Sequence, residues 1–185
     1  MPSYHVKRCF LALPLDEVAI ADLADLMSGV QIEGLRPTRP ENLHVTLKFL
    51  GDVDDPDLPG LIGALQNVAQ ECQAFELSLT EIAYLPTPRR PRVLAAAMDR
   101  PPPMIQLFNW IEEAVADLGF PREGRAFNPH ITLGRFRNPP RRLPSPAVFQ
   151  LSPTTIPVDR FVLMQSTLGG QAPTYAELAG FPLQR

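Results

Sequence analysis

The chain has 185 residues, of which 45% are hydrophobic and 20% charged, with a net charge of −3. That length and apolar content support one compact domain or two closely packed lobes and exclude a disordered chain. The negative balance excludes a broadly basic nucleic-acid coat, and no apolar run approaches the roughly 20 residues that span a membrane.

Taken from the N-terminus, Tyr4 to Leu13 reads as a strand, with Val6, Arg8, Phe10 and Ala12 on one face and Lys7, Cys9, Leu11 and Leu13 on the other. Pro14 and Asp16 open a helix with an apolar stripe at Val18, Leu23 and Leu26, ending near Ser28-Gly29. Val30 to Arg36 is a short strand or loop, and the next strand begins at Asn42 and stops at Gly51-Asp52. Asp54-Asp55-Pro56 forms a helix start, followed by Leu58, Leu61, Ile62, Leu65, Val68 and Ala69 at helical spacing. Phe75, Leu77 and Leu79 alternate with polar residues up to Thr80, and Val93 to Met98 is a further strand.

After Pro101-Pro102-Pro103 comes a helix carrying Ile105, Leu107, Phe108, Ile111, Val115 and Leu118, which ends at Gly119. A strand from Asn128, a Pro/Arg segment to Pro146, and strands at Phe149 to Leu151, Phe161 to Leu168 and Thr174 to Leu178 complete the chain, with Gly169-Gly170 as a turn. The 22 prolines exceed the usual share about twofold and cluster in the connections. Cys9 and Cys72 are expected to be buried free thiols, without the spacing of a metal site. The N-terminus lacks a signal-peptide pattern, and a cytoplasmic protein is expected.

One stretch occurs twice. Asn42-Leu43-His44-Val45-Thr46-Leu47 reappears 86 positions later as Asn128-Pro129-His130-Ile131-Thr132-Leu133. In a strand, His44 and Thr46 point to one face while Val45 and Leu47 point to the other, and the second copy behaves alike. A single His-x-Thr on a strand is ordinary, but the duplication marks an internal repeat. The expected fold is therefore α+β: two similar lobes in a single domain over 1–185, each an antiparallel sheet with helices on its outer face and the cleft between them.

Two histidines and two threonines suit proton transfer at a phosphodiester. One neutral imidazole accepts a proton while a charged one donates, and the hydroxyls hold non-bridging oxygens. No metal and no cofactor is expected.

With these residues in place the chain resembles the 2H phosphoesterase superfamily, and its flanks resemble the RNA 2′,3′-cyclic phosphodiesterase branch, also called 2′-5′ RNA ligase. Those flanks are Arg8 to Ala12, Leu47 to Gly51, Arg135, Leu163 to Leu168 and Tyr175. The resemblance implies His44 and His130 as the acid/base pair and Thr46 and Thr132 as phosphate holders. It implies RNA ends or nucleotides carrying a 2′,3′-cyclic phosphate as partners, a 2′-phosphate product, and ATP-independent 2′-5′ ligation as the related reversal. His130 is taken as base and His44 as acid, in a monomer.

Further residues are weighed beside these. Phe10 would stack a nucleobase or belong to the core, in equal measure. Arg135 would contact phosphate or base, which strict alternation allows only with a bulge near Gly134. Tyr175 would close the site or be a core tyrosine, Lys48 would face phosphate or sit as a strand-edge charge, and His5 would be solvated. Residues 120–145 hold six arginines against one glutamate, and Arg89, Arg90 and Arg92 form a second cluster. The alternatives are a phosphodiesterase for small nucleotides, such as ADP-ribose cyclic phosphate or a 2′-5′ oligoadenylate, a binding module without catalysis, and a purely structural duplication.

Overall fold

The computed structural model describes residues 5–169 and 172–185; the expected strand start at Tyr4 and the expected turn residue Gly170 lie outside them. The elements are β1 (Val6–Pro14), α1 (Glu17–Ser28), β2 (Leu35–Pro37), β3 (His44–Asp54), α2 (Leu58–Glu71), β4 (Phe75–Leu85), β5 (Val93–Met98), α3 (Pro102–Ala116), β6 (His130–Phe136), β7 (Thr155–Val158), β8 (Arg160–Thr167) and β9 (Thr174–Pro182). Among the described residues no helix is long and apolar enough to cross a membrane.

The sheet runs β7-β4-β5-β6-β3-β1-β8-β9, with β2 added beside β6. All its named pairings are antiparallel. The two histidine strands are central neighbours, joined at Val45 opposite Ile131. Around that point β5-β6 mirrors β3-β1, which is the expected pair of lobes. The lobes are not the two halves of the sequence, however. The C-terminal hairpin β8–β9 returns to flank β1, and β2 crosses to pair with β6.

Three expectations fail at strand edges. Phe149 to Leu151 is irregular, following a short 3-10 turn at Pro146–Val148. The strand in that region is instead β7, which pairs with the start of β4 although Pro157 interrupts its pattern. β4 also continues past Thr80 to Leu85, because its second half pairs with β5 while its first half pairs with β7.

The helices cover one face of the sheet. Asp16 caps α1, its Oδ1 accepting from the Ala19 amide at 3.1 Å, a contact that typically contributes about 1 kcal/mol. Buried residues at helical spacing, Leu61, Leu65 and Val68 on α2 and Met104, Leu107, Ile111 and Val115 on α3, pack against Leu11, Val45, Leu47, Ile131 and Leu133 in one continuous core. Cys9 and Cys72 are both buried free thiols, with burial raising both pKa values.

A β-bulge decides where the side chains beyond each His-x-Thr go. Leu11 pairs with Lys48 and Ala12 with Thr46, so Leu47 is the extra residue. Lys48 therefore turns toward the helices, where its Nζ donates to Glu112 Oε1 of α3 at 2.7 Å and to the Pro121 carbonyl at 2.8 Å. Glu112 Oε2 accepts from the Glu123 amide at 2.8 Å. Both side chains are buried, so Lys48 is neither a phosphate contact nor a strand-edge charge.

The same bulge recurs on β6, where Leu94 pairs with Gly134 and Ala95 with Thr132, leaving Leu133 extra. Gly134 occupies the position equivalent to Lys48, and β2 lies against it. A Cβ there would stand 2.9 Å from Leu35 Cδ1 and 3.0 Å from the Arg36 carbonyl oxygen.

Breaking the buried ion pair from one side leaves an uncompensated charge. Glu112→Leu is expected to lower unfolding free energy by about 3–5 kcal/mol, and Lys48→Met combined with it to recover a large part of that loss, read by urea denaturation.

Candidate active site

The face of the sheet opposite the helices carries a groove. Register places its four central residues: with Val45 opposite Ile131, His44 stands across from Thr132 and Thr46 across from His130. Each histidine thus faces the other copy's threonine.

The tautomers are fixed locally. His44 Nδ1 lies 2.7 Å from the Asn42 carbonyl oxygen and His130 Nδ1 lies 2.9 Å from that of Asn128. A carbonyl only accepts, so both Nδ1 atoms carry hydrogen and Nε2 is the ring atom left for substrate. His44 Nε2 is 3.1 Å from Thr46 Oγ1, which donates to it while the ring is neutral. The residue two before each histidine therefore acts through its backbone, while the Asn42 side chain ties the site to the C-terminal hairpin loop by donating to the Pro173 carbonyl at 3.0 Å.

Burial pushes the His44 imidazolium below its ordinary pKa of 6.5. The Asn42 carbonyl opposes this, and the Arg135 guanidinium and His130 reinforce it.

The groove encloses a cavity of about 610 Å³. His44, Thr46, Thr132, Arg135, Phe10 and Tyr175 line it, and His130 borders it across from Thr46. Arg135 reaches this face because of the Leu133 bulge, as the parity of the strand requires. Tyr175 stands edge-on to His44 at 5.4 Å between ring centroids and to Phe10 at 5.0 Å.

Phe10 departs from the expected stacking role. Only 3% exposed, its ring is covered by His44, Phe49 and Tyr175. It supports the catalytic histidine from below and offers a base no open ring face.

The lining includes residues that sequence reasoning left out of the site: Arg36, Arg39, Phe49, Ser166 and Leu168, with Arg8 beside Phe49. Four of the lining residues are arginines, and none of the lining residues described is a carboxylate, in a chain of net charge −3. A groove of this kind selects anions.

The sequence profile described as LigT like Phosphoesterase matches residues 13–95 and 98–175, spanning both histidine strands. The chain belongs to the LigT-like phosphoesterase family. An RNA 2′,3′-cyclic phosphodiesterase from Thermus thermophilus is 31% identical over 184 residues, covering 96% of this chain and 90% of that protein. A solved phosphoesterase-fold structure from the same organism superposes with a TM-score of 0.85 at 30% identity, covering 96% of this chain and 98% of its own. Escherichia coli LigT complexed with 3′-AMP superposes with a TM-score of 0.80 at 26% identity, covering 98% and 100%.

Within this LigT-like site, Arg135 should govern the charge state of His44. Arg135→Gln is expected to raise the His44 titration midpoint, because removing a nearby cation favours the imidazolium, and proton NMR of the two ring protons across pH 4–8 reads it.

Proposed function

We propose that this chain hydrolyses the 2′,3′-cyclic phosphate at the end of an RNA strand to a 2′-phosphate. The observation that carries this reading is the crossed pairing of each histidine with the other copy's threonine in an arginine-lined groove. The Thermus relative's name and the nucleotide held by the Escherichia coli protein support the same substrate class.

The groove places the phosphorus between the two Nε2 atoms. Thr46 and Thr132 donate hydrogen bonds to its non-bridging oxygens, and Arg135 adds positive charge where negative charge accumulates in the transition state. Water attacks phosphorus as one Nε2 takes its proton; the bond from phosphorus to the 3′ oxygen breaks, and the other histidine gives that oxygen a proton. Both histidines come from one chain, so one chain suffices.

The proton inventory of the free protein assigns the roles. His44, held below its ordinary pKa by burial, enters neutral with Nε2 unprotonated. It is the group fitted to accept the proton from water, which leaves His130 to donate. This reverses the order that resemblance suggested.

Two outcomes are expected. His44→Ala and His130→Ala each lose about 10²–10⁴-fold in turnover of an RNA ending in cyclic phosphate, assayed in EDTA with the product's phosphate position read by ³¹P NMR. Retention of wild-type turnover in either variant overturns the reading. With a 4-nitrophenyl phosphodiester, whose leaving group needs no proton, His130→Ala recovers most of its deficit and His44→Ala does not.

The acid limb of kcat/KM, which reports the free protein's coupled histidines, should fall below pH 6.5, since activity rises as His44 loses its proton. An acid limb above that value removes His44 as the base.

A further inference from the structure

The groove is longer and less symmetric than a single cyclic phosphate requires. Phe49 lies four residues beyond Val45 on β3, and Arg135 lies four beyond Ile131 on β6. The strands are antiparallel, so these two equivalent positions stand at opposite ends. Counting each bulge as one residue fewer, the ends are about 20 Å apart at ~3.3 Å per residue.

The two ends differ in chemistry. At one, Phe49 is 71% exposed and Leu168 is 70% exposed, and both line the groove. Single exposed apolar side chains are ordinary on a protein surface. Here two of the most exposed ones converge on one groove, beside a catalytic pair, with the face of an aromatic ring open to solvent. At the other end, β2 runs beside β6 with Arg36 opposite Arg135, and Thr38 donates its amide to the Leu133 carbonyl at 2.8 Å, which holds the segment carrying Arg36 and Arg39 against the groove. None of these three arginines forms a salt bridge among the described residues.

A nucleotide at the end of an RNA strand has a matching polarity. Its base leaves the ribose at C1′ and the next phosphate is attached through C5′, on opposite sides of the ring from one another. Bases stack on aromatic faces, and guanidinium forks match phosphate.

Resting on the proposed hydrolysis of cyclic phosphate ends, we propose that the groove reads the strand directionally: the base of the cyclic-phosphate nucleotide stacks on the Phe49–Leu168 shelf, and the next phosphate of the strand is held by Arg36 and Arg39 at the opposite end. The preferred substrate is then an RNA strand of two or more nucleotides, not a mononucleotide. Arg8, at the Phe49 end, adds charge without changing this polarity, since it faces Asp52 across the β1–β3 register.

The test compares adenosine 2′,3′-cyclic phosphate with a diadenylate ending in 2′,3′-cyclic phosphate. Wild-type protein is expected to favour the diadenylate in kcat/KM by about tenfold, the effect of one charge-assisted phosphate contact. Arg36→Gln with Arg39→Gln is expected to bring that preference close to one. Phe49→Ala is expected to lower kcat/KM for both substrates by about tenfold while keeping the preference.

Because the preference is a ratio within one protein, loss of folded material does not change it. Turnover without preference in the wild type overturns the inference, as does a preference that survives the double arginine variant or wild-type rates for Phe49→Ala. Absence of wild-type turnover on both substrates overturns the proposed reaction and this inference together.

Discussion

Val45 and Ile131 face one another at the bridge between the two histidine strands, and the placement of the site depends on that register. A slip of one residue would turn every side chain of one strand to the other face, sending its histidine and threonine into the core and its isoleucine or valine into the groove. The register is protected by burial, since Val45, Leu47, Ile131 and Leu133 all sit in the shared core under the helices. Apolar packing on one face thus fixes hydrogen-bonding geometry on the other. Phe10 and Ala12 extend this support on the groove side, forming with Val162 a small apolar cluster beneath His44 and Tyr175.

Charge is distributed by the bulges. Placing the extra residue immediately after each His-x-Thr sends Lys48 inward to Glu112 and brings Arg135 outward to the groove. The cation nearest the first histidine in sequence is consequently removed from the site, and the one nearest the second is delivered to it. His44 feels the result: burial and the neighbouring guanidinium both disfavour its imidazolium, and the Asn42 carbonyl restores only part. An anionic substrate reverses this balance on binding, because a phosphate beside the ring favours the charged form.

Much of this was legible in the sequence, and the parts that were not have a common cause. The repeated His-x-Thr-Leu frame, the helix stripes and caps, and the α+β lobes depend on local periodicity, and they appear where periodicity places them. Arg135 was legible as an exception, because alternation demanded a bulge that the structure contains. Lys48 was not, since the matching bulge on β3 leaves no mark in composition. β7 was hidden by Pro157, and β4 looked short because its two halves serve different partners. Arg36, Arg39 and Leu168 enter the groove from segments remote in sequence, and only the pairing of β2 with β6 and of β8 with β1 brings them there. Phe10 shares the histidine face as its parity predicts, yet its burial is a matter of neighbours that parity does not report.

The exchange of strands between the lobes bears on how the chain acquires its shape during synthesis. β1 is among the first segments to leave the ribosome, but one of its edges pairs only with β8, some 150 residues later. Until then the apolar run Phe10 to Leu13 borders an unpaired edge, the kind of surface that joins wrong partners. The contacts that close this edge are among the longest-range in the molecule, and closing them carries the loop entropy that makes such topologies slow to fold. The catalytic centre is therefore completed late, since the hairpin that covers the β1 edge also carries Tyr175 and the loop that receives Asn42. A nascent chain that stalls before residue 160 would carry both histidine strands and still lack the wall that encloses them.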